Sequence, residues 1–393
     1  MNNKNELDIE ISLVRDDLIF RAQRRLHLIP EQGLGIIRRA LFFALLTWLP
    51  LVVWSFFKGT ALQGQMHEPL LNHFGIHARF LVAIPLMIFG EGMMHNIFTK
   101  LIPYFYTSGL VRNEHKSAFA RIIQKAISLR NSTTPWVVIA AFVCLSAVIH
   151  PAYQDMHELD WANVGTTDQY NLGFGGWWMI FVSRPIFTAL IWISLWRLIL
   201  LFLLFKWIAA LDLELVPTHP DRAGGLGFLE KTPVAFSLLV FAISVVLASR
   251  LAHEIVYHGM QLQSLKSLLV VYLIVIAVVF LSPLMAFIPK LLATKRRARL
   301  EYGALVGNHG RLVQRRWIRH ESINDESLLQ APELGPVADT LTLYEAAIKM
   351  RPIPIGKTAI LSIVLPAALP LIALFAIKVP VKDLVLKLFS IIF

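Results

Sequence analysis

Apolar residues in this chain gather into long unbroken runs, not into the alternation that marks half-buried strands. Seven runs stand out, at roughly 41–57, 80–99, 135–152, 184–206, 233–252, 267–289 and 357–378. A helix needs about 17–25 apolar residues to cross the hydrocarbon core of a bilayer. The pattern therefore predicts an all-α polytopic membrane protein of about seven transmembrane helices. The polar intervals divide the chain into an amphipathic arm (1–40), a six-span bundle (41–289) with loops at 100–134 and 207–232, a polar segment (290–356), and a last span with an amphipathic tail (357–393).

Two polar stretches have helical periodicity. In "SAFARIIQKAISLR", Phe119, Ile122, Ile123, Ala126 and Ile127 share one face, with Arg121, Lys125 and Arg130 opposite. The arm "ISLVRDDLIFRAQRRLHLIP" is similar, and both are expected to lie on the inner leaflet. Segment 290–356 begins as a basic helix continuing the sixth span and is expected to form a small helical cap, too short for a catalytic domain of usual size.

Composition sharpens the class. Of 393 residues 56% are apolar and 16% charged, with mean hydropathy +0.60, where a soluble protein carries about a quarter charged residues. The net charge of +11 suggests an anionic partner, but its distribution assigns it to topology. Lys and Arg are dense in the arm, absent from 153–176, and alternate between rich and poor segments along the chain. The positive-inside rule then places the N-terminus in the cytoplasm. The partners implied are membrane lipids, anionic ones at the cytoplasmic face, and not nucleic acid. Cys144 stands alone, which excludes a disulfide framework or a cysteine metal site. The polar first 37 residues contain no visible cleavable leader.

The stretch "IFGEGMMHN" sets Glu91 between Gly90 and Gly92 inside an apolar run. A charge at the bilayer centre costs roughly 2.5–3.5 kcal/mol on insertion scales, so it faces a partner or a cavity. By depth in its span, Arg197 is the matching base, and a mid-membrane Glu91–Arg197 pair is expected. It is either a staple between two helices or a gate lining a path. His95 repeats a Glu-x-x-x-His spacing with Glu91 but falls toward the cytoplasmic edge. Pro366 and Pro370 sit inside the last span, where they would free backbone carbonyls and break the helix.

On the outer side, His73 and His77 are spaced to share a helix face, and Arg250, Glu254 and His258 form another beside His253. Histidine and carboxylate suit zinc, copper or nickel, so a divalent metal held by His73, His77, His253, Glu254 and His258 is one reading. Scattered interfacial histidines are the other, with no cofactor at all. The loop "THPDRAGGLGFL" contains His219, Asp221, Arg222, Gly224 and Gly225. Its Asp can cap a turn and its glycines permit positive φ. Exposed amides with Arg222 could bind an anion, though a rigid connector fits the residues better. No nucleophile elbow, phosphate loop or strong metal spacing occurs, so nothing supports an enzyme.

"HPDRAGGLGFL", "KRRARLEYGAL", "MRPIPIGKTAIL" and the tail "LVLKLFSIIF" together resemble an uncharacterised family of bacterial polytopic inner-membrane proteins. The resemblance implies a multi-pass protein of the bacterial inner membrane and brings no substrate or catalytic residue. Two function classes stay open. The first is a channel or transporter for a small ion or solute, with Glu91 and Arg197 on the path, or with a pore on the axis of a homo-oligomer. The second is a sensor or assembly factor with a His-rich periplasmic face, and a membrane-embedded enzyme ranks third.

Overall fold

The computed structural model describes residues 12–62, 69–153, 156–164, 171–257, 259–261, 263–321 and 335–378. Among the described residues the chain is mostly helical and has no strand, only two isolated backbone bridges, Val111 with Leu213 and Asn163 with Leu172. The helices are α1 (Leu18–Arg25), α2 (Ile36–Lys58), α3 (Phe74–Thr107), α4 (Lys116–Asn131), α5 (Thr133–Tyr153), α6 (Phe174–Ala209), α7 (Ser237–Tyr257), α8 (Lys266–Met285), α9 (Ile288–Val313), α10 (Gly335–Ile348) and α11 (Lys357–Lys378). α2, α3, α6, α7, α8 and α11 are each long and apolar enough to cross a membrane. α5, at 21 residues, coincides with the remaining apolar run. The protein is a multi-pass membrane protein.

Why these runs become helices that span follows from their surfaces. On α8, Val270, Val271, Ile274, Val275 and Val278 are all about half exposed and recur at helical spacing. Water would penalise such a stripe, whereas lipid accepts it. The opposite faces close a single core in which Phe105 meets Phe119, Phe205, Phe228 and Phe287, at ring separations of 5.1–6.4 Å. This aromatic cluster lies at the end of the bundle that carries the arm, hereafter the arm face.

Prolines shape the two longest helices. Residues 78–83 of α3 and 179–183 of α6 are π-helical, and each segment runs directly into a proline, Pro85 and Pro185. A proline has no N–H and its ring crowds the carbonyl one turn earlier, so the turn ahead widens. In α11 the outcome differs from the expected break, because the helix is continuous through both Pro366 and Pro370. Ile363, Ala367, Leu371 and Leu374 are buried, and α11 packs along α7 over its length. That packing supports a continuous helix through two missing hydrogen bonds.

The arm also departs from expectation. It does not rest on the membrane surface; Leu13 and Val14 join the main core, and Ser12, Asp17, Phe20 and Gln23 are buried. α4 likewise turns its apolar face to protein, with Phe119 against Phe105 and Lys125 over the ring of Trp207 at 4.2 Å. Within segment 290–356, α9 packs against α10, and on α9 only Leu291 and Ala298 are buried.

Candidate functional site

Glu91 and Arg197 do meet, but within a four-residue chain of charges. Arg197 Nη1 donates to Glu91 Oε1 at 2.6 Å and its Nη2 donates to Asp17 Oδ2 at 2.8 Å. Arg39 Nη2 donates to Glu91 Oε2 at 2.5 Å. The order is Arg39, Glu91, Arg197, Asp17, two bases and two acids in alternation. All four are buried, at 1–4% exposure. Asp17 does double duty, because its Oδ1 accepts the Phe20 N–H at 2.7 Å and caps α1. Arg39 points inward from a stripe of small residues that includes Ala40, Ala44, Thr47 and Ser55, all buried on α2.

Arg39 is in the first turn of α2, a helix about 34 Å long by helical rise. Glu91 is near the middle of α3, about 24 Å by helical rise from Thr107, so the start of α2 comes within side-chain reach of the middle of α3. The gap above the charges is filled by the arm. Ser12 Oγ hydrogen-bonds His95 Nδ1 at 2.7 Å, and Arg130 of α4 donates to the Ser12 carbonyl. His95 thus holds the arm.

Arithmetic of charge explains why such a chain survives burial. Each ion alone would lose several kcal/mol of hydration, which is recovered only when geometry and pairing are good. Here charges balance, and both oxygens of each carboxylate are used. The guanidinium nitrogens are less complete: Arg39 Nε and Nη1 and Arg197 Nε have no partner among the described residues.

Loop 218–229 resolves differently from an anion site. Asp221 accepts the N–H groups of Ala223 (2.7 Å), Gly225 (3.2 Å) and Gly227 (2.7 Å), so the amides are taken by the loop's own carboxylate. His219 Nδ1 lies 2.9 Å from Asp221 Oδ1, while Arg222, Gly224 and Gly225 turn the backbone with φ of 54°, 67° and 95°. The resulting socket receives Arg351, whose Nη2 donates to the Asp221 carbonyl (3.0 Å) and to Glu230 Oε1 (2.9 Å). Thus the loop motif and "MRPIPIG" are two halves of one joint between α6 and α11.

Burial alone would raise the Asp221 carboxyl, yet the three backbone donors and His219 hold it below the ordinary carboxylate range. A lowered native value means this group's stabilisation is complete at neutral pH and is lost as pH falls through that value. We expect Asp221→Ala to cost about 1–3 kcal/mol, the price of unsatisfied amides. Thermal melting at pH 7 should show the deficit, and the gap to wild type should narrow only in acid, below the ordinary carboxyl value of about 4.

On the far face, His73 and His253 stack at 5.5 Å with their rings inclined by 19°. His77 turns away: Trp48 Nε1 donates to its Nδ1 at 2.9 Å, and its Nε2 lies 3.2 Å from the Leu71 carbonyl. His258 lies outside the described residues. Among the described residues, no group of three or more His, Cys, Asp or Glu is placed to hold a metal ion. Pro366 and Pro370 are on α11, away from Glu91 in sequence and on a helix whose neighbours are α7 and α8. A groove of about 430 Å³ opens beside Phe89 and residues Leu34 to Arg38, with Arg38 exposed next to the buried Arg39.

Asp17, Arg39 and Arg351 escape sequence reasoning, since each lies in a polar stretch where a charge looks solvated. Compared with protein-family models, curated proteins and solved structures, the chain matches none.

Proposed function

We propose that the protein is a channel or carrier for a small ion or solute in the inner membrane of a bacterium, held closed at its arm face by residues 12–29. The observation that carries this reading is the composition of the buried charge chain. Three of its members belong to spanning helices α2, α3 and α6, and the fourth, Asp17, belongs to a segment that spans nothing. A staple needs only the first three. A fourth partner on a separable segment makes a latch, because the arm can leave without unfolding the bundle. Gly92 lies one residue from Glu91, and the Ile36 side chain of α2 fills the space that a Cβ there would need, so α2 and α3 approach closely where the latch sits.

The dense Lys and Arg of the arm and of 290–356 support a cytoplasmic arm face. Anionic headgroups suit the exposed Arg38 at the mouth of the apolar groove. A second reading, a sensor, draws on the His73–His253 stack that joins the start of α3 to the end of α7.

Locking the arm tests the first reading. With Cys144→Ser as background, Ser12→Cys and His95→Cys can be bridged by a short bismaleimide. Vesicles holding the bridged protein should show at most a tenth of the solute flux of the unbridged variant. Equal flux with and without the bridge contradicts a gate at the arm.

A further inference from the structure

The charge chain also indicates what would pass. Arg39 and Arg197 each present five N–H donors. Against them stand the two Glu91 oxygens and Asp17 Oδ2. Arg39 Nε and Nη1 and Arg197 Nε are left over, buried and without a partner among the described residues. The site is therefore rich in donors while it is shut. It is neutral only because Asp17 supplies the second negative charge.

We infer that the Asp17 carboxylate stands in for the solute, and that the place it occupies beside Arg197 takes a small carboxylate anion once the arm withdraws. This inference rests on the arm acting as a gate and names the solute class for that gate. Removal of Asp17 leaves Arg39, Glu91 and Arg197 with one net positive charge, and with guanidinium edges shaped for a planar two-oxygen acceptor. A cation entering the same space would face two arginines and a single, doubly used carboxylate. An anion completes the alternation that the arm completes at rest, so arm and solute compete for Arg197. That competition gives a simple rule for opening: solute binding is favoured where the arm is out, and the arm closes on an empty site.

Chemical rescue tests the inference apart from transport. Asp17→Gly keeps a residue tolerated at a helix N-cap while deleting the carboxylate. Purified full-length Asp17→Gly protein is melted at constant ionic strength as sodium chloride is replaced by sodium formate. Formate should raise its melting temperature saturably and close most of the gap to wild type. It should do nothing for wild type or for Asp17→Gly/Arg197→Gln. A rise that is absent, or that persists in the double variant, overturns the inference, as does one that chloride gives equally. If Asp17→Gly does not fold, amide exchange of residues 12–29 in the wild type serves instead. Formate should accelerate it by displacing the arm, and exchange unchanged from that in chloride overturns the inference. Formate rescue without flux through vesicles upholds the anion site and removes the gate. Gated flux without rescue does the reverse.

Discussion

Glu91→Gln is expected to be the most damaging single substitution in the protein, costing about 3–5 kcal/mol, the range for stranding a buried charge. Glu91 is the one carboxylate that both arginines share. Neutralising it leaves Arg39 with no acid and Arg197 with Asp17 alone. Neither arginine can escape, because each is fixed on a spanning helix and buried at 2–3% exposure. Arg39→Leu/Glu91→Gln should recover most of the loss, since the surviving Arg197–Asp17 pair is again balanced. Melting of the two single variants and the double variant forms a cycle, with coupling expected well beyond the few tenths of a kcal/mol of independent sites. An additive cycle would show that Arg39 and Glu91 do not depend on each other.

Arg197→Gln should act differently, although it removes as many ion pairs. Its two partners are Asp17 and Glu91. Glu91 keeps Arg39, and Asp17 can leave for water by taking the arm with it. The penalty is thus limited to the undocking of residues 12–29, while the bundle stays folded. Hydrogen exchange should register this as a local opening: amides of α1 lose at least ten-fold in protection, and those of α7 and α11 are unchanged. Global loss of protection would mean that the arm is an integral part of the core and not a latch.

How much of this was legible follows from where each charge lies. The spans could be read directly, because an unbroken apolar run has no other stable solution in a chain this poor in charge. Glu91 and Arg197 were legible for the same reason, as charges that apolar surroundings make conspicuous. Asp17 was not, since beside Asp16 in a basic arm nothing marks it as the one turned inward. Arg39 was not legible either, since beside Arg38 at the start of its apolar run it looks like a flanking surface charge. The loop 218–229 shows the converse. Its residues announced a tight turn, and Asp221 does bind its backbone, but only the fold brings Arg351 across 130 positions of sequence to fill it.

The central claim is that the arm closes a path by means of Asp17. It is tested most directly by the flux of a small anion from vesicles containing wild-type or Asp17→Gly protein at equal, melting-verified folded amounts. The account predicts at least a ten-fold faster flux in the variant, returning to the wild-type level when the arm is cross-linked shut. Equal, negligible flux in both, with the arm of the variant shown by hydrogen exchange to be released, would contradict it.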